Sequence, residues 1–85
     1  MTVTRKASAG TTQSSDLVVQ VEPAPAIEIQ IESTVKKQFE HLIRNRIAAV
    51  LARHGVTGAL VRVSDRGALD YAIEARVEAA LRRAE

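Results

Sequence analysis

The residue in this chain best suited to covalent chemistry is a serine without a catalytic partner. Ser14 stands in Ala9-Gly10-Thr11-Thr12-Gln13-Ser14-Ser15-Asp16, a small and polar stretch just ahead of the first plausible strand. A serine hydroxyl is a weak nucleophile at neutral pH unless a neighbouring base takes its proton, and the chain supplies no base nearby. Two readings follow from the residue alone. Ser14 is a solvated side chain of a loose segment, or it is an acceptor that a separate transferase modifies.

The remaining chemistry-bearing groups narrow the field. His41 and His54 lie 13 residues apart on one expected helix, which places them roughly 140° apart around its axis, so they cannot share a metal. No third ligand converges on either, and both read as surface histidines. Gly55-Val56-Thr57-Gly58 has the form of the glycine loop of KH nucleic-acid domains, but there the loop joins two helices, and here a strand follows. A helix cap followed by a turn accounts for both glycines. There is no cysteine, so disulfides, thiolate metal sites and any thioester on the protein's own side chains are excluded. A thioester on this chain requires an added thiol.

Size and charge set further limits. A chain of 85 residues has room for one thin core and no deep enclosed pocket. The longest aliphatic run, Ile47-Ala48-Ala49-Val50-Leu51-Ala52, is far short of the roughly 20 residues that span a bilayer. No apolar segment follows Arg5 and Lys6, so no secretory signal is read, and a cytoplasmic protein is expected. The formal charge is +2 with acidic residues interleaved among the basic ones, and the only aromatics are Phe39 and Tyr71. Neither a basic face nor a stacking platform for nucleic acid emerges.

The elements that must position Ser14 follow from hydrophobic period. Residues 1–15 show none, and are expected to form a flexible arm that precedes a single domain over 16–85. Leu17, Val19 and Val21 alternate with polar or outward residues, and Ile27-Glu28-Ile29-Gln30-Ile31-Glu32 alternates strictly, so both read as strands. The pair is expected to form a hairpin around Pro23-Ala24-Pro25-Ala26. A helix is predicted over about 34–54, capped by Ser33 or Thr34, with Val35, Phe39, Leu42, Ile43, Ile47, Val50 and Leu51 on its apolar stripe. Ala59-Leu60-Val61-Arg62-Val63 reads as a third strand. A second helix follows, its stripe formed by Leu69, Ala72, Ile73, Val77, Ala80 and Leu81. The expected fold is a two-layer α+β domain of order β-β-α-β-α, with a three-stranded sheet carrying both helices on one face. The second and third strands should run parallel through the crossover helix. Glu22, Glu28, Gln30, Glu32 and Arg62 should then decorate the open face, either solvated or as a docking surface for a larger subunit.

Nearly the whole chain also resembles the acyl carrier protein, or gamma chain, of citrate lyase. The resemblance rests on Ala9-Gly10-Thr11, Ser14 and Asp16, then Ser33, Val35 and Lys37-Gln38-Phe39, and further on Val50-Leu51-Ala52-Arg53, Gly67-Ala68-Leu69-Asp70, Ala75-Arg76, Glu78-Ala79 and Leu81. It implies a non-catalytic carrier in which Ser14 holds a phosphodiester-linked phosphoribosyl-dephospho-coenzyme A attached by a transferase. It further implies that the terminal thiol of that group exchanges acetyl for citryl with the alpha (acyl transferase) subunit, and that the beta (citryl lyase) subunit releases oxaloacetate. The implied partners are these subunits, with no nucleic acid and no membrane. One departure stands at the site, since the family commonly has glycine where this chain has Ser15, which leaves Ser15 as a second acceptor. The residues do not separate citrate from citramalate. The competing reading is a small α+β interaction module, KH-like or structural, without a prosthetic group.

Overall fold

Ile27-Glu28-Ile29-Gln30-Ile31-Glu32, the strongest alternation in the chain, forms an edge strand of a four-stranded sheet. The computed structural model describes residues 1–34 and 37–85. Its elements in order are β1 (Ala7–Gly10), β2 (Leu17–Glu22), β3 (Ile27–Ser33), α1 (Glu40–Arg53), β4 (Ala59–Asp65) and α2 (Asp70–Ala84), with a short 3-10 turn at Lys37–Phe39 ahead of α1. The strands lie in the order β1-β2-β4-β3.

The sequence expectation of three strands is therefore corrected to four, and the expected hairpin of β2 with β3 does not form. Strand β4 lies between them, antiparallel to β2 with Val19 opposite Val63, and parallel to β3 with Ile29 opposite Val61. The parallel pairing through the crossover helix is as expected. Composition accounts for the order. Ala59, Val61 and Val63 of β4 are buried and Leu60 is half-buried, as suits a central strand, whereas Glu28, Gln30 and Glu32 of β3 are exposed and suit an edge. The proline linker passes across the end of the sheet rather than turning tightly. Gly58 accommodates it, because a Cβ there would stand 2.3 Å from the Ala24 carbonyl oxygen.

The fourth strand comes from the segment expected to be an arm. Ala7 to Gly10 pair antiparallel with Val21 to Val18 of β2, and Val3 and Ala9 are buried. The lead-in is tied to both helix ends. The N-terminal ammonium donates to the His54 carbonyl at 2.8 Å, and the Thr4 and Arg5 N–H groups donate to the Ala84 carbonyl at 2.8 and 3.1 Å. These carbonyls have no partner within their own helices, and a cation at a helix C-terminus also meets the negative end of its dipole.

One core joins the sheet to both helices. Leu17, Val19, Val21, Val61, Ile47, Val50, Leu51, Val77 and Leu81 are essentially inaccessible to solvent, each contributing on the order of 1.5–3 kcal/mol from burial. The stripes are narrower than expected at their N-terminal ends. Phe39, Leu42 and Leu69 are about half exposed, Val35 lies outside the described residues, and the N-cap of α1 is Phe39, without a side-chain cap, rather than the expected Ser33 or Thr34. Helix α1 proper starts at Glu40, later than the expected start near 34. Its C-terminus is a Schellman motif: Gly55 adopts φ +67°, its N–H donates to the Ala52 carbonyl, and the Val56 N–H donates to the Leu51 carbonyl. The glycine pair of the KH-like pattern is thus a helix stop and a close backbone approach, the bland reading of that pattern.

Candidate functional site

Ser14 occupies the short connection from β1 to β2, and every residue of that connection except Asp16 is exposed. The Asp16 N–H donates to the Gln13 carbonyl at 3.2 Å, which closes a β-turn with Ser14 and Ser15 at its two central positions. Ser15 has φ +64°, in the left-handed region, whereas Ser14 does not. That is the pattern of a type II turn, whose second central position favours glycine.

The turn is welded to the β4–α2 loop by a bulge. The Ser15 N–H donates to the Arg66 carbonyl at 2.9 Å and the Arg66 N–H donates to the Asp16 carbonyl at 2.8 Å. Two residues, Ser15 and Asp16, thus oppose one, with the first of them in the left-handed conformation, which is the G1 bulge. The position where the resemblance implies glycine is therefore the one where backbone geometry favours it. Ser15 fills it at some conformational cost, with its own side chain still outside the core.

Gly10 sets the other side of the connection. It has φ +104°, and a Cβ on it would fall 1.8 Å from the Leu17 carbonyl oxygen, the same oxygen that accepts the Thr11 N–H at 3.1 Å. No side chain fits there. The Gly10–Leu17 approach closes the loop at its base, while the turn and bulge hold its tip.

Asp16 supplies the polar framework. Its Oδ1 accepts the Leu17 N–H at 2.8 Å and Arg76 Nε at 3.1 Å, while its Oδ2 accepts the Thr11 hydroxyl at 2.6 Å and an Arg76 terminal nitrogen at 2.9 Å. The forked Arg76 contact, aided by Thr11 and the Leu17 N–H, holds the Asp16 carboxyl well down, at about 2 from its ordinary 3.8. Asp16 is thus a fixed anion whose acceptor sites are taken. It is not available as a general base for Ser14.

Asp65 fixes the facing loop in the same manner. It is buried at 2% exposure, accepts the Ser33 hydroxyl at 2.9 Å, and accepts the N–H groups of Gly67 and Ala68 at 3.2 and 3.0 Å. Buried carboxylates need such partners. The result is that Arg66 emerges from a loop pinned on both sides.

Of the residues singled out from sequence, Ser14 is presented to solvent, and its hydroxyl has no hydrogen-bond partner among the described residues. Ser15 is beside it and exposed. His41 is exposed on α1 with no hydrogen bond or ion pair among the described residues, and His54 comes no nearer than 4.0 Å to Glu78, so neither is bonded to the turn. Among the described residues no cluster of His, Cys, Asp or Glu could hold a metal, and no helix is long and apolar enough to cross a membrane. Glu28, Gln30, Glu32 and Arg62 do lie exposed on the outer sheet face, with Glu22 half-buried beside Arg62 at 3.8 Å. Sequence reading missed the roles of Arg76 and Arg66. Arg76 lies 60 residues from its partner Asp16, and only its place in the shared Ala75-Arg76 pair offered a hint. The site as a whole can present a hydroxyl in a fixed position, but among the described residues it holds no base or thiol with which to act on a substrate.

Comparison with known proteins is consistent along the whole chain. A family model described as the malonate decarboxylase delta subunit (MdcD) matches residues 4–84. The chain is 48% identical over 84 residues to the citrate lyase acyl carrier protein of Haemophilus influenzae (strain PittGG), covering 99% of this chain and 88% of that one. It is 45% identical over 86 residues to that of Yersinia enterocolitica, covering 99% and 89%. In fold it is similar to a chain in the crystal structure of a Pseudomonas malonate decarboxylase hetero-tetramer in complex with malonate, with a TM-score of 0.83 at 20% identity over 98% of this chain and 87% of that one.

Proposed function

Because this chain belongs to the acyl carrier family shared by citrate lyase acyl carrier proteins and malonate decarboxylase delta subunits, we propose that it serves a citrate lyase complex by carrying its acyl group on a prosthetic arm at Ser14. It is a carrier subunit and not itself a catalyst. The arm in this proposal is phosphoribosyl-dephospho-coenzyme A, joined to Ser14 Oγ by a phosphodiester, and it supplies the terminal thiol that bears the acetyl or citryl thioester. The partners are the alpha and beta subunits that exchange and cleave the acyl group, and the transferase that attaches the arm, all in the cytoplasm.

The observation that carries this reading is the exposed Ser14 hydroxyl, without a partner among the described residues, at the tip of a turn held by the bulge with Arg66 and by Asp16 with Arg76. The family pattern around it, Gly10, Ser14 and Asp16, corresponds to three distinct physical roles. Gly10 lets the backbone close the loop, Asp16 locks the turn to α2 through Arg76, and Ser14 is left free to react. With no base in the turn, the transferase must supply one. The chain's own contribution is presentation. It holds one hydroxyl out from a rigid surface, so that an enzyme can reach it and so that the arm starts from a fixed point.

A tethered thioester reaches two active sites at a high effective concentration if the arm and its anchor span them. The expected mobility of residues 1–15 is not needed for that. In this proposal the swing lies in the arm, and the domain serves as its handle.

Intact mass after co-expression with the cofactor-attaching enzymes tests the proposal. A single adduct with the mass of the dephospho-coenzyme A derivative is expected, retained in Ser15→Ala and lost in Ser14→Ala. An adduct that survives Ser14→Ala would move the site. The absence of an adduct on the unaltered chain would refute the carrier chemistry.

A further inference from the structure

The turn that presents Ser14 has two arginines within reach, and they differ in what they have left to offer. Arg76 spends its guanidinium on both oxygens of Asp16, at 3.1 and 2.9 Å. Arg66 is exposed, and its guanidinium has no hydrogen bond or ion pair among the described residues. The nearest carboxylates cannot take it up. Asp16 has both oxygens occupied by Arg76, Thr11 and the Leu17 N–H, and Asp65 is buried against Ser33 and the loop N–H groups.

The backbone of Arg66 is nonetheless held tightly. Its N–H and its carbonyl are both engaged, with Asp16 and Ser15 respectively, at 2.8 and 2.9 Å. This places its Cα about one strand spacing, roughly 4.8 Å, across from the turn. An arginine so placed has lost main-chain freedom already, while all five of its side-chain donors remain open. Such a forked, permanently charged group matches a phosphate better than any other side chain does.

We propose that Arg66 is the anion-binding residue of the carrier, and that its guanidinium pairs with the phosphodiester linking the arm to Ser14. This rests on attachment of the phosphodiester at Ser14. The contact orients the root of the arm away from the turn and offsets a negative charge beside Asp16, whose own carboxylate is held ionised. Arg62, four residues before Arg66 and further from the site on β4, already lies 3.8 Å from Glu22, and is the internal control.

The test uses the full chain before and after attachment, with the adduct first verified by mass. Nitrogen-15 spectra of the arginine Nε–H groups should show Arg66 shifted, with its exchange with water slowed several-fold, only in the loaded protein, while Arg62 is unmoved. In loaded Arg66→Ala the phosphorus-31 resonance of the diester should move toward that of a free phosphodiester, and Arg66→Lys should fall between. The unloaded Arg66→Ala chain should melt with the unaltered protein, because the side chain has no partner to lose among the described residues. An Arg66 signal identical in loaded and unloaded protein, or a diester resonance indifferent to Arg66→Ala, overturns the inference while leaving Ser14 as the attachment site. A chain that never acquires the adduct overturns both.

Discussion

Replacing Ser15 by glycine should stabilise this protein. Glycine usually weakens a fold, because it loses more conformational freedom on ordering, by roughly 0.5–1 kcal/mol relative to alanine. At Ser15 the balance tips the other way. Its φ of +64° lies where an L-residue with a Cβ is strained by about 1–2 kcal/mol. The difference is a net gain of about 0.5–1 kcal/mol for Ser15→Gly. In a domain of this size that corresponds to a rise of roughly 2–8 °C in melting temperature. The Ser15 side chain is exposed and its hydroxyl has no partner among the described residues, so little else is lost. Ser15→Val provides the opposite arm, since a β-branched residue tolerates positive φ worst and should destabilise by about 1–2 kcal/mol. Thermal and urea unfolding of the unloaded chains, monitored by circular dichroism, measure both. If Ser15→Gly melts lower than the unaltered protein while Ser15→Val melts with it, the left-handed residue and the bulge built on it are wrong. The same glycine variant removes the alternative hydroxyl, so an adduct retained in it assigns Ser14.

Three further outcomes follow from the same geometry. Gly10→Ala places a Cβ 1.8 Å from the Leu17 carbonyl oxygen at a backbone φ of +104°, and should cost more than about 2 kcal/mol; an unchanged urea midpoint would contradict the closure of the loop at its base. Asp16, held at about 2 chiefly by its hydrogen bonds to Arg76, has a folded value below its unfolded one. Its stabilisation is therefore complete above about pH 4 and is lost as pH falls toward 2, so acid unfolding should be less steep in that window for Asp16→Asn, and an unchanged slope would remove Asp16 from the framework. Leu81→Ala empties a fully buried position where α2 meets the sheet, and should cost about 2–5 kcal/mol by denaturant titration.

The two helices and β3 were legible because their periods are carried by large side chains. Ile47, Val50, Leu51, Ile73, Val77 and Leu81 recur at helical spacing and are buried, and β3 alternates without exception. Strand β1 was not legible. Its apolar side chains are Ala7 and Ala9 alone, too small to give a hydrophobic signal, and what holds it is the ladder to β2 and the Arg83 guanidinium donating to the Ser8 carbonyl at 2.8 Å. The hairpin error has a different origin. Two strands separated by four residues are usually neighbours, and it is the pairing of β4 along both its edges, with Ala59, Val61 and Val63 buried, that places it between them. At the site, Ser14 and Asp16 were recognisable by their spacing from Gly10, but the reason for that spacing lies in bonds to Arg66 and Arg76, distant in sequence.

The position of Ser14 bears on how a carrier of this size can work. A serine at the end of a loose arm would let the anchor wander and would widen the volume the thiol explores, which lowers its effective concentration at any one active site. Here the turn that bears Ser14, the proposed anchor, is fixed by Gly10 against Leu17, by the bulge with Arg66, and by Asp16 with Arg76. The segment before it is tied to the ends of both helices. In the proposed carrier, the reach of the thiol is then limited by the extended length of the arm and by how partner subunits hold the domain. A fixed origin and a flexible arm of fixed maximum extension bound the volume that the thiol explores around the turn. On the proposed function, both catalytic sites must lie within that volume, or the domain must turn as a body between them. On this argument the domain's packing is itself part of the carrier function, because loosening the turn disperses the arm without touching its chemistry.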